Sequence, residues 1–227
     1  MKKIGKMAEI AWVIGTFLCA FGVALCTKAS LGLSMMAAPP YIIHLRLVEY
    51  LRWYSQGTSS YIFEGTMLVV MCLLIRNFRP KYLLSFLSSM LFGYALDLWN
   101  FLLGGNGAFA SLAGRAFSFV GGMLCISIAV AFMFRTYLPA QTPELLVMEV
   151  AKHFKTDNTR VKLILDVTCL ALSFSLSLLL TGKLTAIHVG TVILAFGNAP
   201  LIKLWSKVID KLFTFEPMFP RLKAFFE

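Results

Sequence analysis

Apolar and polar positions divide this chain into six long apolar runs, at about 10–26, 61–75, 82–103, 117–134, 161–180 and from 184 through 200. A helix needs about 20 mostly apolar residues to cross the hydrocarbon core of a bilayer, so the runs predict six spanning helices. Two stretches are too polar or too broken to span. The first, from Ser30 to Gly57, carries Gly32, Ser34 and the pair Pro39-Pro40. It predicts a discontinuous segment followed by an interfacial amphipathic helix from Tyr41 to Trp53. The second follows the fourth run, where Pro143 opens another amphipathic helix and Asn158 or Thr159 is the expected N-cap of the fifth span. A tail over 207–227 sets Lys207, Lys211 and Lys223 against Phe213, Phe215 and Phe219, the pattern of a helix lying on the membrane surface. The predicted fold is all-α: a polytopic membrane helical bundle of about six transmembrane helices in a single domain, 1–227.

The two halves resemble each other. Glu64 opens a long apolar run in one half and Asp166 opens one in the other, 102 positions on. Phe92-Gly93-Tyr94-Ala95 has its counterpart in Phe196-Gly197-Asn198-Ala199. Each half reads as span, interrupted segment, span, span, with repeat 1 at about 8–104 and repeat 2 at about 115–206. Three spans per unit force the second unit to start from the opposite side of the membrane. This is the inverted-topology repeat of many secondary transporters, whose binding sites sit near the midplane where interrupted segments meet.

Composition agrees with a membrane location. The chain is 59% hydrophobic, 14% charged and has a mean hydropathy of +0.78, whereas soluble domains carry about 25% charged residues. The net charge of +10 would suggest nucleic acid in a soluble protein. Here the basic residues punctuate the spans, and no basic stripe with interleaved aromatics stands apart. With the N-terminus inside, 16 of the 21 Lys and Arg residues fall on cytoplasmic segments and 5 on the other side. The positive-inside rule then places both termini in the cytoplasm of a bacterial inner membrane. Lys2, Lys3 and Lys6 before an apolar run resemble a signal peptide, but Leu25 is too large to precede a lipoprotein cysteine at Cys26, so the first span is expected to be retained. The five cysteines lie in or beside apolar runs without a C-x-x-C spacing and read as small buried residues.

Carboxylates inside a span cost several kcal/mol unless paired or hydrated, which makes Glu64, Asp97 and Asp166 candidate substrate- or ion-binding residues. The competing reading puts each within a turn of an interface: Glu64 in the first turn of span 2, Asp97 near the same outer face, Asp166 near the inner one. On the sixth span His188, Thr191, Ala195 and Asn198 fall on one narrow face; Thr191 and Asn198 equally suit helix packing. Ser34 and Pro39 mark the interrupted segment, and the prolines there and at Pro200 are expected to leave backbone carbonyls free for a wet cavity or a neighbouring helix. His44, His153 and His188 share no metal-ligand spacing, so no metal and no cofactor is expected. The sequence contains no P-loop, H-E-x-x-H or G-x-S-x-G, and the Gly-rich run at Gly104 to Gly107 reads as a turn. The expectation is a protein that is not an enzyme.

The chain resembles the YczE/YyaS/YitT group of bacterial integral membrane proteins through Leu31-Gly-Leu-Ser-Met-Met-Ala-Ala-Pro39, Ser55-Gln-Gly57, Phe86 to Asp97 and Gly190 to Gly197. Many members of that group carry Ser-Pro-Trp-Asp after the first span and Gly-Pro-Arg-Asp after the fourth. This chain reads Ser34-Met-Met-Ala37 and Thr142-Pro-Glu144 there. The resemblance implies a transporter or exporter without naming its substrate. Two other classes fit six spans: a non-transporting membrane helper or signalling protein, and a substrate-binding subunit of a vitamin-uptake system. The expected partners are the lipid bilayer and an unknown small-molecule substrate, with a homodimer compatible and no nucleic acid. Impermeant labelling of tags at the two ends is expected to find both on the cytoplasmic side. Ends on opposite sides would remove the twofold relation between the halves.

Overall fold

A computed structural model describes residues 8–80, 82–104, 111–138, 141–183, 185–213 and 215–217. The basic N-terminal residues Lys2, Lys3 and Lys6, most of the turn at Gly105 to Gly107, and the tail beyond residue 217 lie outside the described residues. Within them the chain forms eight α-helices and no β-strand: α1 (Ala8–Ala29), α2 (Ala38–Leu47), α3 (Gln56–Ile75), α4 (Tyr82–Leu102), α5 (Leu112–Met133), α6 (Thr142–His153), α7 (Asn158–Thr181) and α8 (Val189–Leu212). Six of these, all but α2 and α6, are long and apolar enough to cross a membrane, so the expected polytopic helical bundle is the fold. α2 and α6, at 10 and 12 residues, reach about 15 and 18 Å at 1.5 Å per residue, roughly half of a ~30 Å hydrocarbon core.

Small residues bring the long helices together. Along α1 and α5, a Cβ added at Gly22 would lie 2.7 Å from the Gly122 carbonyl oxygen, and one at Gly122 would lie 2.7 Å from Cys26 Sγ. Helices in lipid associate through such close backbone contact because burial of apolar surface no longer drives them together. α4 packs on α1 and on α3, and α8 packs on α5. The half-length helices fill the remaining positions. α2 lies against α7 and α3, and α6 against α3, α7 and α4. α7 and α8 adjoin in sequence, yet among the described residues their backbones do not come close, in contrast to the packed pair α3 and α4.

Two polar knots close the ends of the bundle. At one end Asp97 of α4 accepts the Gly57 N–H at 2.7 Å and the Ser55 hydroxyl at 2.5 Å, while Arg115 of α5 donates to the Ala29 and Ser30 carbonyls that finish α1. Segment 31–33 is held there too, with Leu33 N–H bonded to the Ala186 carbonyl and Gly190 N–H to that of Leu31. At the other end Arg135 pairs with Asp210 at 2.5 Å and donates to the Ser206 carbonyl.

Several expected boundaries move. α3 begins at Gln56, not Tyr61, because the polar residues of its first turn have partners: Ser55 caps Thr58 N–H, Gln56 donates to Thr27, and Ser59 donates to the Pro40 carbonyl. Glu64 therefore lies eight residues into the 20-residue α3, near its middle rather than in its first turn. The predicted interfacial helix over Tyr41 to Trp53 is instead α2, with both prolines inside its first turn. Pro39 and Pro40 consequently free no helical carbonyl; they remove two N–H donors at a helix start. The N-cap of α7 is Asp157 rather than Asn158 or Thr159. The tail's first residues continue α8 to Leu212, and Phe213 and Phe215 then turn back onto Phe132 of α5, with ring centroids 6.2 and 6.1 Å away, in place of lying apart on a surface.

Neighbouring glycines of α5 separate packing from propensity. Gly122 faces α1, whereas an added Cβ at Gly121 meets nothing within 4 Å. Gly122→Ala is expected to lower thermal stability by roughly 1–3 kcal/mol through overpacking, and Gly121→Ala to leave it unchanged or raise it by up to about 1 kcal/mol, both read from thermal unfolding of detergent-purified protein.

Candidate functional site

The first turn of α6 carries a polar cluster in the middle of the bundle. Two contacts fix its position along α4. Near the start of α4, Tyr82 Oη donates to Glu149 Oε2 at 2.8 Å; seven residues further on, Ser89 Oγ lies 3.0 Å from Thr142 Oγ1. α6 runs antiparallel to α4, its residues falling by seven as those of α4 rise by seven. Its N-terminus therefore sits about 10 Å along α4 from the start of that helix, deep between the two ends.

A helix beginning there presents N–H groups that lack intrahelical acceptors. Each has a solution. Thr142 N–H donates to Ser89 Oγ at 3.3 Å. Pro143 has no N–H, which suits it to a helix start. The Glu144 N–H lies within the influence of its own carboxylate. Ser89 donates its hydroxyl proton to Glu64 Oε2 of α3. Glu64 is 8% exposed, and Ser89 and Thr142 are 0% exposed.

Glu144 lies within electrostatic range of Glu64, and the Cys19 thiol of α1 lies within range of both. No Lys, Arg or His forms an ion pair with either glutamate among the described residues. Two buried atoms of the cluster, Glu144 Oε2 and Gln141 Nε2, have no hydrogen-bond partner among the described residues. The site thus combines two carboxylates, two hydroxyls and an amide at the positive end of a helix dipole. That chemistry suits a proton or a positively charged group. An anion would find the N–H groups of this helix end already engaged.

The sequence-predicted residues scatter around this cluster. Asp166 of α7 occupies the place in its helix that Glu64 occupies in α3, eight residues in, but forms an ion pair with Lys162 at 3.3 Å. Asp97 caps α3 at the end knot, well away from Glu64. Ser34 shapes the turn into α2, its hydroxyl accepting from Ala37 N–H at 3.3 Å, and Pro39 is fully buried in the first turn of α2. Next to them Met36 Sδ lies 3.5 Å from Cys169 Sγ, one turn beyond Asp166. His188 is the exposed N-cap of α8, and buried Thr191 accepts its N–H at 3.3 Å. Asn198 is half-buried with an unpaired Oδ1. The four positions of the proposed α8 face do not share one environment: Thr191 is buried, Ala195 and His188 are exposed.

Ser89, Gln141, Thr142 and Glu144 were not among the sequence candidates. The signals for them were Ser85, Ser88 and Ser89 inside one apolar span and an acidic residue directly after Thr142-Pro143.

Residues 7–207 match the model of a family described as "Family of unknown function (DUF6198)". No curated protein and no solved structure gives a significant match.

Replacing Ser89 by Ala leaves the Thr142 N–H and a Glu64 oxygen without their partner in a dry interior, at a cost of about 1–3 kcal/mol. Ser175→Ala, on an exposed face of α7, is the matched control and is expected to be neutral. A thermal-unfolding cycle of Ser89→Ala with Glu64→Gln should give a double-variant loss smaller than the two single losses combined.

Proposed function

The chain belongs to the DUF6198 family, and from that premise, which brings no assigned activity with it, we propose that this six-span membrane protein is a small-molecule transporter. It works by alternating access, one inverted repeat (about 8–104) rocking against the other (about 115–206) around the cluster at the start of α6. The carrying observation is a buried carboxylate, Glu64, within electrostatic range of a second, half-buried one, Glu144, at the mid-bundle start of a half-length helix, neither with an ion-pair partner among the described residues. A protein with only a structural task has no use for so costly a group there.

The helix packing supports the twofold relation. Exchanging the halves (α1 with α5, α2 with α6, α3 with α7, α4 with α8) maps the contact of α1 with α4 onto that of α5 with α8. It also maps the contact of α2 with α7 onto that of α6 with α3. Both half-length helices carry proline in the first turn, and each packs on the spanning helix of the other half that bears the matched acid. The relation fails at two places: α3 packs on α4 and α4 on α6, but α7 does not pack on α8, nor α8 on α2. Those differences support mobility of the second half, since a helix held by few contacts shifts at low cost. The resemblance to the YczE/YyaS/YitT group implies the same class of protein. On this reading the substrate approaches from the end of the bundle where a cleft of about 190 Å³, lined by Arg79, Tyr82, Glu149 and His153 among others, lies beneath α6.

Cysteine accessibility tests the mechanism without knowledge of the substrate. In a background lacking the five native cysteines, Gln141→Cys and Ser34→Cys are each expected to react with a membrane-impermeant maleimide applied from either face of sealed vesicles. Reaction of both from a single face only would exclude alternating access.

A further inference from the structure

We propose that Glu64 and Glu144 hold one proton between them and that this exchangeable proton is the coupling ion of the transport cycle; the second half of the proposal rests on the transporter reading, the first does not. The argument is one of charge and of hydrogen-bonding capacity at the start of α6.

Two carboxylates within electrostatic range of each other, Glu64 only 8% exposed, resist ionising together, because desolvation and mutual repulsion each oppose the second charge. A positive helix end stabilises one negative charge by a fraction of a kcal/mol to about 2 kcal/mol, far short of what a second buried charge needs. Among the facing titratable groups one cation, Lys162 of α7, offers partial relief, and to Glu144 alone. From α1 comes Cys19, a neutral thiol neighbour of both glutamates. From α7 come Lys162 and Asp166, which pair with each other at 3.3 Å. On α6 itself Glu149 is engaged by the Tyr82 hydroxyl. On α2, His44 is bonded to the Tyr54 carbonyl and belongs to the other end of the bundle. α4 offers hydroxyls at this level and no charge.

The same contacts favour a proton over a metal cation. Ser89 Oγ is already engaged by Glu64, by the Ser85 carbonyl and by the N–H and hydroxyl of Thr142, which leaves no open face for a cation. Among the described residues no three His, Cys, Asp or Glu side chains gather as a metal site. Buried Glu144 Oε2 has no hydrogen-bond partner among the described residues and is a free acceptor, a seat for one mobile hydrogen. On release the proton passes to water and the pair goes from one negative charge to two. The doubly charged pair requires water around it, so deprotonation and opening of the α6 start become one event.

Infrared difference spectroscopy of the full-length protein in liposomes, acid against alkaline buffer, reads the proton directly. Wild type is expected to show a protonated-carboxyl carbonyl band at neutral pH that alkaline buffer removes. Glu64→Gln and Glu144→Gln should each shift or remove it, and the double variant should lack it. Asp97→Asn should leave it in place. A wild type without the band, or a double variant that retains it, overturns the shared proton. The coupling is read from Ser34→Cys labelling. The ratio of reaction rates from the two faces is expected to change several-fold between acid and alkaline buffer, and to be independent of pH once both glutamates are Gln. A pH-independent ratio alongside a normal band overturns the coupling alone. Labelling from one face at every pH sinks the transporter reading and with it the coupling, while the infrared result still decides the proton.

Discussion

A helix that begins halfway through a bundle of membrane helices has N–H groups with no water to turn to, and this structure is arranged around supplying them. Each unpaired backbone group in hydrocarbon costs several kcal/mol. α2 meets the difficulty mostly by deletion: Pro39 and Pro40 carry no N–H, and Ser34 takes the Ala37 and Ala38 donors that precede them. α6 deletes one donor with Pro143, and Ser89 takes the Thr142 N–H that precedes it. The serine that serves α6 also holds Glu64 of α3. The acid, the half-length helix and α4 are therefore tied at one hydroxyl, and none is placed without the others.

That tie sets the order of the remaining packing. α6 needs α3 and α4 together, and those two approach closely only because Gly57 and Gly93 meet backbone to backbone, under the Asp97 cap that fixes the start of α3. α2 draws on α7 and α3 instead, through Met36 against Cys169 and Pro40 against Ser59. α8 has no part in either arrangement. It leans on α5 at Gly190, against Phe119, and at Gly197, against Met123, and is anchored at its far end by Arg135 to Asp210. Both of its ends are fastened while its middle meets few neighbours.

Fold class was legible in the sequence because hydrocarbon thickness leaves little choice: apolar runs of spanning length must be helices. The half-length helices were visible only as interruptions. Glycine and proline announce that a span is broken, but not at what depth the chain resumes. The depth of Glu64 was misjudged for a related reason. Gln56, Ser59 and Ser60 look like residues outside the membrane, and they became the first turn of α3 because Thr27 and Pro40 from other elements bond to two of them. Such partners lie 29 and 19 positions away in sequence and have no local signature. Asp97, Asp166 and Glu64 looked alike as acids in spans. Only the positions of Ser55, Lys162 and Ser89 show that one caps a helix, one is neutralised along its own helix, and one has no counter-charge.

On the proposed transporter reading, the difference between Glu64 and Asp166 separates the two halves. Both acids stand eight residues into helices that occupy corresponding places. Lys162, one turn before Asp166, neutralises it along the helix; the matching position before Glu64 is Ser60, whose hydroxyl bonds back to the Gln56 carbonyl. One half thus carries its charge already compensated, and the other carries it open and faces a second acid from α6. If the halves exchange roles in a rocking motion, they do so around a site whose protonation state one half alone controls, through Ser89 and the start of α6. The energetic cost of deprotonating that pair in a closed interior, far above thermal energy, makes the closed form the protonated one. On that reading Lys162 in one half against Ser60 in the other gives the two halves different tasks.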